Sequence, residues 1–206
     1  MANIVIVDYG MGNLRSIKRK LLRHGVNSSV GATPQEIAAA DRLIFPGVGH
    51  FAAGMQNLRR SGLLEVLNEK VLTERTPIMG ICLGMQLFSK FSEEGDAEGL
   101  GWIDARTVRF RGGGDNAPLK VPHVGWNTFR AARLSPFFAD VDKGRKFYFT
   151  HSYHLECADP TDVLAVTNYG YEFTSAVQRG NILGVQFHPE KSHLEGIRVL
   201  LNFLAA

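Results

Sequence analysis

The stretch from Pro77 to Gln86 constrains the fold of this chain more than any other. It opens with an apolar run typical of a buried strand and continues into a segment with helical character. Between the two, Gly80-Ile81-Cys82-Leu83-Gly84 places a nucleophile between two glycines. Such glycines remove Cβ atoms that would clash at a tight strand-to-helix turn. The pattern predicts a nucleophile elbow, with Cys82 exposed at the end of a strand and at the positive end of a helix, which favours a thiolate. The alternative, a buried core cysteine, is the usual state of a lone cysteine but does not account for the flanking glycines.

Composition excludes several classes of protein. The 206 residues, 45% of them hydrophobic, suffice for one α/β domain spanning residues 1–206. A net charge of +3 without a block of Lys or Arg argues against nucleic-acid binding. Two cysteines, Cys82 and Cys157, make neither a disulfide framework nor a zinc site. No signal sequence or long apolar run is visible, so we expect a cytoplasmic protein that binds no membrane.

The first ninety residues alternate between strand and helix patterns. Residues 4–7 predict a strand, and a glycine-rich loop then leads to Asn13 as the N-cap of a helix. Thr33-Pro34-Gln35-Glu36 is a capping box that starts a short helix. Residues 43–45 predict a strand that breaks into Pro46-Gly47-Val48-Gly49. This order predicts a mostly parallel central sheet with helices on both faces.

After residue 91 the pattern changes. Residues 92–100 are polar and acidic, which predicts a surface loop. Short alternating runs at 107–110, 123–126, 147–150 and 163–166 predict an antiparallel extension of the same sheet. Residues 182–187 predict a final strand. A last helix is predicted from about Ser192, with an apolar face made by Leu194, Ile197, Leu201 and Leu204.

A cysteine nucleophile needs a base, and the base needs a group that orients it. Among the seven histidines, His188 directly follows the final predicted strand. Glu190 lies two residues later, on the same side as His188 if the segment is extended, and Pro189 stiffens the pair. The alternative is a surface-loop histidine beside a solvated glutamate.

Acyl chemistry also needs donors for a developing oxyanion. The backbone N–H of Leu83, the residue after the nucleophile, supplies one by geometry. Val48 or Gly49, after the strand expected to neighbour the elbow strand, can supply the second. The alternative for this Pro-Gly-Val-Gly segment is an ordinary turn. His151 and His154 have no partner ligands nearby in sequence, so neither a metal nor another cofactor is expected.

Several motifs in a fixed order carry a resemblance to a known family. They are Asp8-Tyr9-Gly10-Met11-Gly12-Asn13-Leu14-Arg15, Pro46-Gly47-Val48-Gly49-His50-Phe51, Gly80-Ile81-Cys82-Leu83-Gly84-Met85-Gln86, Val121-Pro122-His123-Val124-Gly125-Trp126-Asn127, His151-Ser152-Tyr153 and Phe187-His188-Pro189-Glu190. Together they resemble the class I (triad) glutamine amidotransferases, and among these the glutaminase subunits of imidazole glycerol phosphate synthases. The resemblance implies hydrolysis of glutamine to glutamate and ammonia. It also implies a (β/α)8-barrel cyclase partner that uses the ammonia in histidine biosynthesis.

The resemblance assigns roles to residues at matching positions. Cys82 attacks the carboxamide, His188 protonates the departing ammonia, and Glu190 orients His188. The substrate-binding positions are Gln86, Glu94, His151 and Ser152. The partner-facing positions are Asn13, Trp126, Tyr148 and Lys191. Two alternatives remain: Glu94 as an ordinary loop glutamate, and Trp126 as an ordinary core residue.

Other functions stay open at this point. Residues 188–193 and 167–171 resemble paralogues that supply ammonia for the amination of a cell-surface sugar precursor. A cysteine hydrolase of the same fold that acts alone is a further alternative, favoured less by Gln86 and the Pro46–Gly49 segment. A binding module without catalysis is the last.

Overall fold

The structure is a computed structural model that describes residues 2–112, 119–142 and 144–206. The helices are α1 (Leu14–Leu22), α2 (Pro34–Ala38), α3 (Phe51–Arg60), α4 (Leu63–Asn68, continued by a π-helical turn, Glu69–Thr73), α5 (Leu83–Gln86) and α6 (His193–Ala205). The strands are β1 (Ile4–Val7), β2 (Ser29–Gly31), β3 (Arg42–Gly47), β4 (Ile78–Cys82), β5 (Phe91–Ser92), β6 (Ala97–Glu98), β7 (Ala105–Arg109), β8 (His123–Asn127), β9 (Arg130–Ala131), β10 (Phe147–His151), β11 (Tyr153–Cys157), β12 (Val163–Tyr169), β13 (Tyr171–Arg179) and β14 (Ile182–Val185).

The four N-terminal strands and the C-terminal strand β14 form a parallel sheet in the order β2-β1-β3-β4-β14. Alternate residues of β1 enter two separate cores, Ile4 and Ile6 on one face and Val5 and Val7 on the other. Helices α1 and α6 cover the first face, and α2, α3 and α4 cover the second. The predicted parallel sheet with helices on both faces is therefore confirmed.

The predicted antiparallel extension is confirmed in part. Strand β13 pairs antiparallel with β14, β11 and β12, and β11 in turn pairs antiparallel with β7. Strands β8 and β10, however, form a separate two-stranded sheet and pair with no other strand in the part of the chain that the structure describes, so the expectation of one continuous sheet was wrong there. Strands β11 and β13 were not among the predicted runs, because buried polar residues such as His154, Thr174 and Ser175 interrupt their apolar pattern.

The predicted surface loop at residues 92–100 is confirmed in part, since Glu93, Gly95, Asp96 and Glu98 are exposed, but the segment also contains strand structure. Strands β5 and β6 form a short hairpin there, and β5 pairs with β7. Ser92 is fully buried. Its hydroxyl accepts a hydrogen bond from the Glu94 N–H at 3.0 Å. A polar residue can be buried at this edge of the sheet because nearby groups form hydrogen bonds with it.

The predicted apolar face of the last helix is confirmed for Ile197, Leu201 and Leu204, which pack on the core, and wrong for Leu194. Helix α6 buries Gly196, Ile197, Val199, Leu200 and Phe203, whereas Leu194 is 71% exposed. A Cβ on Gly196 would lie 2.0 Å from the Pro189 carbonyl oxygen, so glycine lets the helix approach the preceding turn on this face. The final strand ends at Val185 rather than at residue 187. Among the described residues, no helix is long and apolar enough to cross a membrane.

Candidate active site

Cys82 occupies the junction of β4 and α5 in a strained backbone conformation. Its φ is 55° and its ψ is −112°, a region that residues with a side chain rarely adopt. A Cβ on Gly84 would lie 1.9 Å from the Phe45 carbonyl oxygen, and one on Gly47 would lie 2.8 Å from the Gly84 nitrogen. Only glycine permits these contacts between the turn and β3. The predicted elbow is confirmed.

The sulfur of Cys82 is less accessible than predicted. The residue is only 6% exposed, so the expectation of an exposed thiol was wrong. Cys82 instead lines a cavity of about 210 Å³, which brings together the predicted oxyanion and substrate positions. The lining residues are Val48, Gly49, Cys82, Leu83, Gln86, Glu94, Pro122, Thr150, His151, Ser152 and Tyr153. Burial at the floor of a cavity excludes most water while leaving room for a small substrate.

His188 and Glu190 form a buried pair. Nδ1 of His188 lies 2.9 Å from Oε1 of Glu190. The extended segment predicted to bring them together is instead a 3₁₀ turn, Pro189–Lys191, so the contact is confirmed but its predicted cause was wrong. The turn is fixed because the Ser192 hydroxyl donates to the His188 carbonyl oxygen and the His188 N–H donates to the Tyr148 carbonyl oxygen.

Opposing effects act on the His188 imidazole. Burial lowers its pKa, but the negative charges of Cys82 and Glu190 outweigh burial and raise the pKa to about 10. Glu190 holds Nδ1, so Nε2 is the nitrogen available for proton transfer. Nε2 has no hydrogen bond of ordinary geometry within the described residues, but Cys82 lies near enough to raise the pKa of the imidazole both by its charge and by a longer hydrogen-bonding contact. The arrangement suits an imidazolium–thiolate pair.

Gln86 is held in one orientation beside the nucleophile. Its Nε2 donates to the Tyr153 carbonyl oxygen at 2.9 Å and to Oε1 of Gln186 at 3.0 Å. Nε2 of Gln186 in turn donates to the Cys82 sulfur at 3.6 Å. Sequence reasoning missed Gln186. The available signal was one polar residue inside an otherwise apolar run at 182–187, since a buried carboxamide must find partners.

A chain of neutral imidazoles supports the same carbonyl group. Nδ1 of His151 lies 2.7 Å from the Tyr153 oxygen, and Nε2 of His151 lies 3.1 Å from Nδ1 of His123. Asn127 contacts Nε2 of His123 at 3.4 Å. Because a carbonyl oxygen only accepts, each imidazole donates through Nδ1 and accepts at Nε2. Burial keeps both rings neutral: it lowers the pKa of His151 well below its usual value and that of His123 to about 4.

Glu94 is anchored at the mouth of the cavity. Its Oε2 accepts a hydrogen bond from the Phe51 N–H at 2.8 Å, at the first residue of α3. The positive end of that helix stabilises a carboxylate. Glu94 is therefore held in place beside the cavity, unlike a solvated loop glutamate.

Comparison with known proteins gives the family. Residues 5–206 match the family model described as glutamine amidotransferase class-I. The chain belongs to the class I glutamine amidotransferase family. It is 47% identical to the imidazole glycerol phosphate synthase subunit HisH 2 of Pseudomonas aeruginosa, over 98% of each chain. It is 46% identical to the subunit of the same name from Methanococcus maripaludis, again over 98% of each chain.

Solved structures agree on the fold of this amidotransferase. The structure of PurLQS from Thermotoga maritima superimposes with a TM-score of 0.74 at 19% identity, covering 100% of this chain and 99% of that one. A crystal structure of a glutamine amidotransferase gives a TM-score of 0.72 at 21% identity, covering 98% and 97%. Mixed α/β architecture with a mostly parallel central sheet is thus the architecture of the family.

The partner-facing residues predicted for this amidotransferase lie outside the cavity. Trp126 is 43% exposed and stacks on His193 with ring centroids 4.7 Å apart, so the alternative of a core tryptophan was wrong. Tyr148 packs edge-on against Trp126, and Nζ of Lys191 lies 5.3 Å above the Tyr148 ring. Asn13 is exposed at the N-cap of α1, but its side chain makes no capping hydrogen bond.

Proposed function

We propose that this chain is a glutaminase that hydrolyses glutamine to glutamate and ammonia with a Cys82–His188–Glu190 triad. The observation that carries the proposal is the strained Cys82 at the floor of a cavity, electrostatically coupled to an imidazole that Glu190 orients. We further propose that the ammonia passes to a (β/α)8-barrel cyclase for imidazole glycerol phosphate synthesis. The similarity of the chain to proteins named as HisH subunits of that synthase supports this part.

The geometry supports a two-step acyl transfer. The Cys82 thiolate attacks the carboxamide carbon of glutamine and forms a C–S bond. The imidazolium of His188 gives its Nε2 proton to the leaving nitrogen, the C–N bond breaks, and ammonia departs from a glutamyl thioester. His188 then takes a proton from water, the resulting hydroxide attacks the thioester carbon, and glutamate leaves as the thiolate is restored. Glu190 keeps the charged imidazole oriented through both steps.

The oxyanion of each tetrahedral intermediate needs donors. We assign these to the Leu83 N–H, at the start of α5, and to the N–H of Val48 or Gly49. Strand β3 pairs with β4 so that Gly47 lies opposite Cys82, which brings the segment after Gly47 to the nucleophile. A lost donor of this kind typically costs about 10²- to 10³-fold in kcat.

Polar groups around the cavity suit the rest of a glutamine molecule. Both N–H groups of Gln86 are engaged by Tyr153 and Gln186, so its Oε1 is left to accept from the substrate. The Glu94 carboxylate matches an α-ammonium group. His151 and Ser152 complete the wall of the cavity. Within the described residues no group of His, Cys, Asp and Glu could hold a metal ion.

We propose that Trp126, Tyr148, Lys191 and Asn13 form the docking surface for the barrel. Trp126 is exposed and Tyr148 is half-buried beside it, and tryptophan and tyrosine are enriched among the anchor residues of interfaces. We also propose that residues 1–206 act as a single domain. That the relatives are named as subunits of the synthase supports a separate partner chain that consumes the ammonia.

The test is a glutaminase assay of the wild type and of Cys82→Ala, alone and with the barrel subunit from the same organism. We expect glutamate release that the partner stimulates and that Cys82→Ala abolishes. An electrophilic glutamine analogue should add one adduct, mapped to Cys82 by mass spectrometry. Turnover that survives in Cys82→Ala would refute the triad. Ammonia transfer to a sugar precursor but not to the histidine-pathway intermediate would redirect the pathway.

A further inference from the structure

The surroundings of Cys82 include a polar side chain that the mechanism above does not use. Gln186, one residue beyond β14, is 0% exposed. Its N–H donates to the Ser175 carbonyl oxygen on β13 at 2.9 Å, which fixes the backbone at this position. Burying a carboxamide is strongly unfavourable unless its polar atoms are hydrogen-bonded. Both ends of this carboxamide have a partner.

The direction of these hydrogen bonds follows from the Tyr153 carbonyl group, which is the first acceptor in the series that runs through Gln86 and Gln186 to the Cys82 sulfur. The Tyr153 oxygen only accepts, so Gln86 must turn its Nε2 towards it. The same nitrogen lies 3.0 Å from the Gln186 carboxamide, which must therefore present its oxygen. Nε2 of Gln186 is then directed at the Cys82 sulfur, 3.6 Å away. The sulfur is an acceptor in this contact.

The sulfur has a suitable partner in each protonation state. As a thiol it can donate to the Thr150 carbonyl oxygen, 3.9 Å away. As a thiolate it accepts from Gln186, and a hydrogen bond to an ionised acceptor is about twice as strong as one between neutral groups. The interaction lies in a buried setting, where electrostatic effects are larger than in water.

We propose that Gln186 is a further catalytic residue: its Nε2–H group donates to the Cys82 thiolate and holds the sulfur at the floor of the cavity, pointing at the substrate carboxamide. The role in turnover rests on the glutaminase function proposed above, but the contact with sulfur can be tested without glutamine. Gln186 keeps both of its N–H bonds throughout, since His188 carries every proton that moves. When the C–S bond forms, the sulfur loses its charge and this hydrogen bond weakens.

The expected size of the effect follows from thiol chemistry. Losing a donor that favours the thiolate about tenfold lowers the ratio of thiolate to thiol tenfold, and it lowers the amount of the reactive form by the same factor wherever the thiol predominates. The remaining thiolate is more basic and therefore more nucleophilic. With a Brønsted coefficient of about 0.4–0.5, its rate constant rises roughly threefold, which offsets part of the tenfold loss. Reactivity on the acid side of the cysteine's pH–rate profile should therefore fall by about threefold when the donor is removed.

The experiment measures carbamidomethylation of Cys82 by iodoacetamide in the full-length protein, without glutamine, followed by peptide mass spectrometry. Gln186→Glu keeps an oxygen for Gln86 but replaces the donor, and Gln186→Met removes both groups. The control is Gln178→Met on β13, because Gln178 also makes a side-chain contact, with Ser135, but none with the sulfur. With rates measured as a function of pH, we expect about a threefold slower reaction on the acid side of the profile in both Gln186 variants and the wild-type profile in the control. A smaller change in folded Gln186 variants overturns the proposal.

A measurement that needs no Gln186 variant keeps the proposal falsifiable if those proteins fail to fold. In protein labelled with ¹⁵N at glutamine side chains, the slowly exchanging amide of Gln186 should shift between the wild type and Cys82→Ala. Identical side-chain amide spectra overturn the contact. A reactive Cys82 in a wild type without glutaminase activity would instead refute the proposed function and leave the Gln186 contact standing.

Discussion

The pKa of the buried His188 is raised, whereas the pKa values of the buried pair His123 and His151 are lowered. His188 is 1% exposed, and His123 is 3% exposed, so burial alone does not distinguish them. Burial lowers the pKa of His188 as well, but the adjacent charges of Cys82 and Glu190 outweigh it and raise the pKa. His123 has the rings of Phe149 and Tyr169 as neighbours, and burial lowers its pKa to about 4. The nearest charged partner, rather than depth, decides which imidazole carries a proton.

The difference separates chemistry from support. A proton-bearing imidazole beside a thiolate can act as an acid towards a leaving group. Neutral imidazoles joined at 3.1 Å can only pass hydrogen bonds along, here from Asn127 through His123 and His151 to the Tyr153 carbonyl oxygen. That oxygen also holds Gln86. One group moves protons, and the other fixes the position of a substrate-binding side chain.

The largest expected effect tests whether His188 is the histidine that transfers protons during catalysis. His188→Gln should lower kcat/KM for glutamine by about 10⁴-fold or more, because the acid and base of both steps is lost. The matched control is His154→Gln, which removes a buried histidine whose Nε2 contacts the Tyr171 hydroxyl instead. Steady-state kinetics with the partner present measures both. Equal losses in the two variants would contradict the distinction.

A smaller effect is expected for the group that orients His188. Glu190→Gln keeps the shape of the side chain but can donate to Nδ1 and so stabilise the wrong tautomer. We expect kcat to fall by about 10²- to 10⁴-fold while KM changes little. Glutaminase kinetics in parallel with thermal unfolding separates this outcome from a loss of folding. A large rise in KM with normal kcat would show that Glu190 acts on binding.

The smallest effect concerns stability, and its sign differs between the two groups. The raised pKa of His188 contributes stability that is complete below pH of about 6.5 and is lost as the pH rises towards about 10. The lowered pKa of His123 contributes stability above pH of about 6.5 that is lost as the pH falls towards about 4. Each group changes the free energy of unfolding by up to about 1.4 kcal/mol per pH unit.

Urea unfolding across this pH range checks the two signs. Glu190→Gln should flatten the alkaline side of the stability curve, and His123→Asn should flatten the acid side. His24→Gln, at an exposed histidine at the end of α1, should change neither. Curves that all run parallel to the wild type would show that these histidines do not set the pH dependence.

Local signals gave much of this fold and site. The capping box at Thr33–Glu36 forms as predicted, with the Thr33 hydroxyl accepting from the Glu36 N–H and the Glu36 carboxylate from the Thr33 N–H. The elbow around Cys82 follows from two glycines whose absence of a Cβ is required. Such features depend on residues close together in the chain, so a single sequence suffices to predict them.

Other features depended on distant partners. Gln186 and Gln86 are 100 positions apart, and His123 and His151 are 28 apart, so no local pattern could show that they bond. On α6 only Leu194 was mispredicted: it is exposed, whereas Gly196 is buried against the Pro189 turn, a contact that the helical spacing of leucines does not reveal. The roles of the predicted site residues stay predictions until the variants above are measured.

The contact between Gly84 and the end of β3 has a consequence for engineering. The main chains of the elbow and of the Phe45–Gly47 segment touch with no side chain between them. The distance between the two proposed oxyanion donors is therefore set by direct van der Waals contact between the two main chains. Swapping the side chains of Val48 or Leu83 would leave that gap unchanged, whereas adding a single methyl group at position 84 would wedge it open. Redesign for bulkier amides would have to remodel the strand itself.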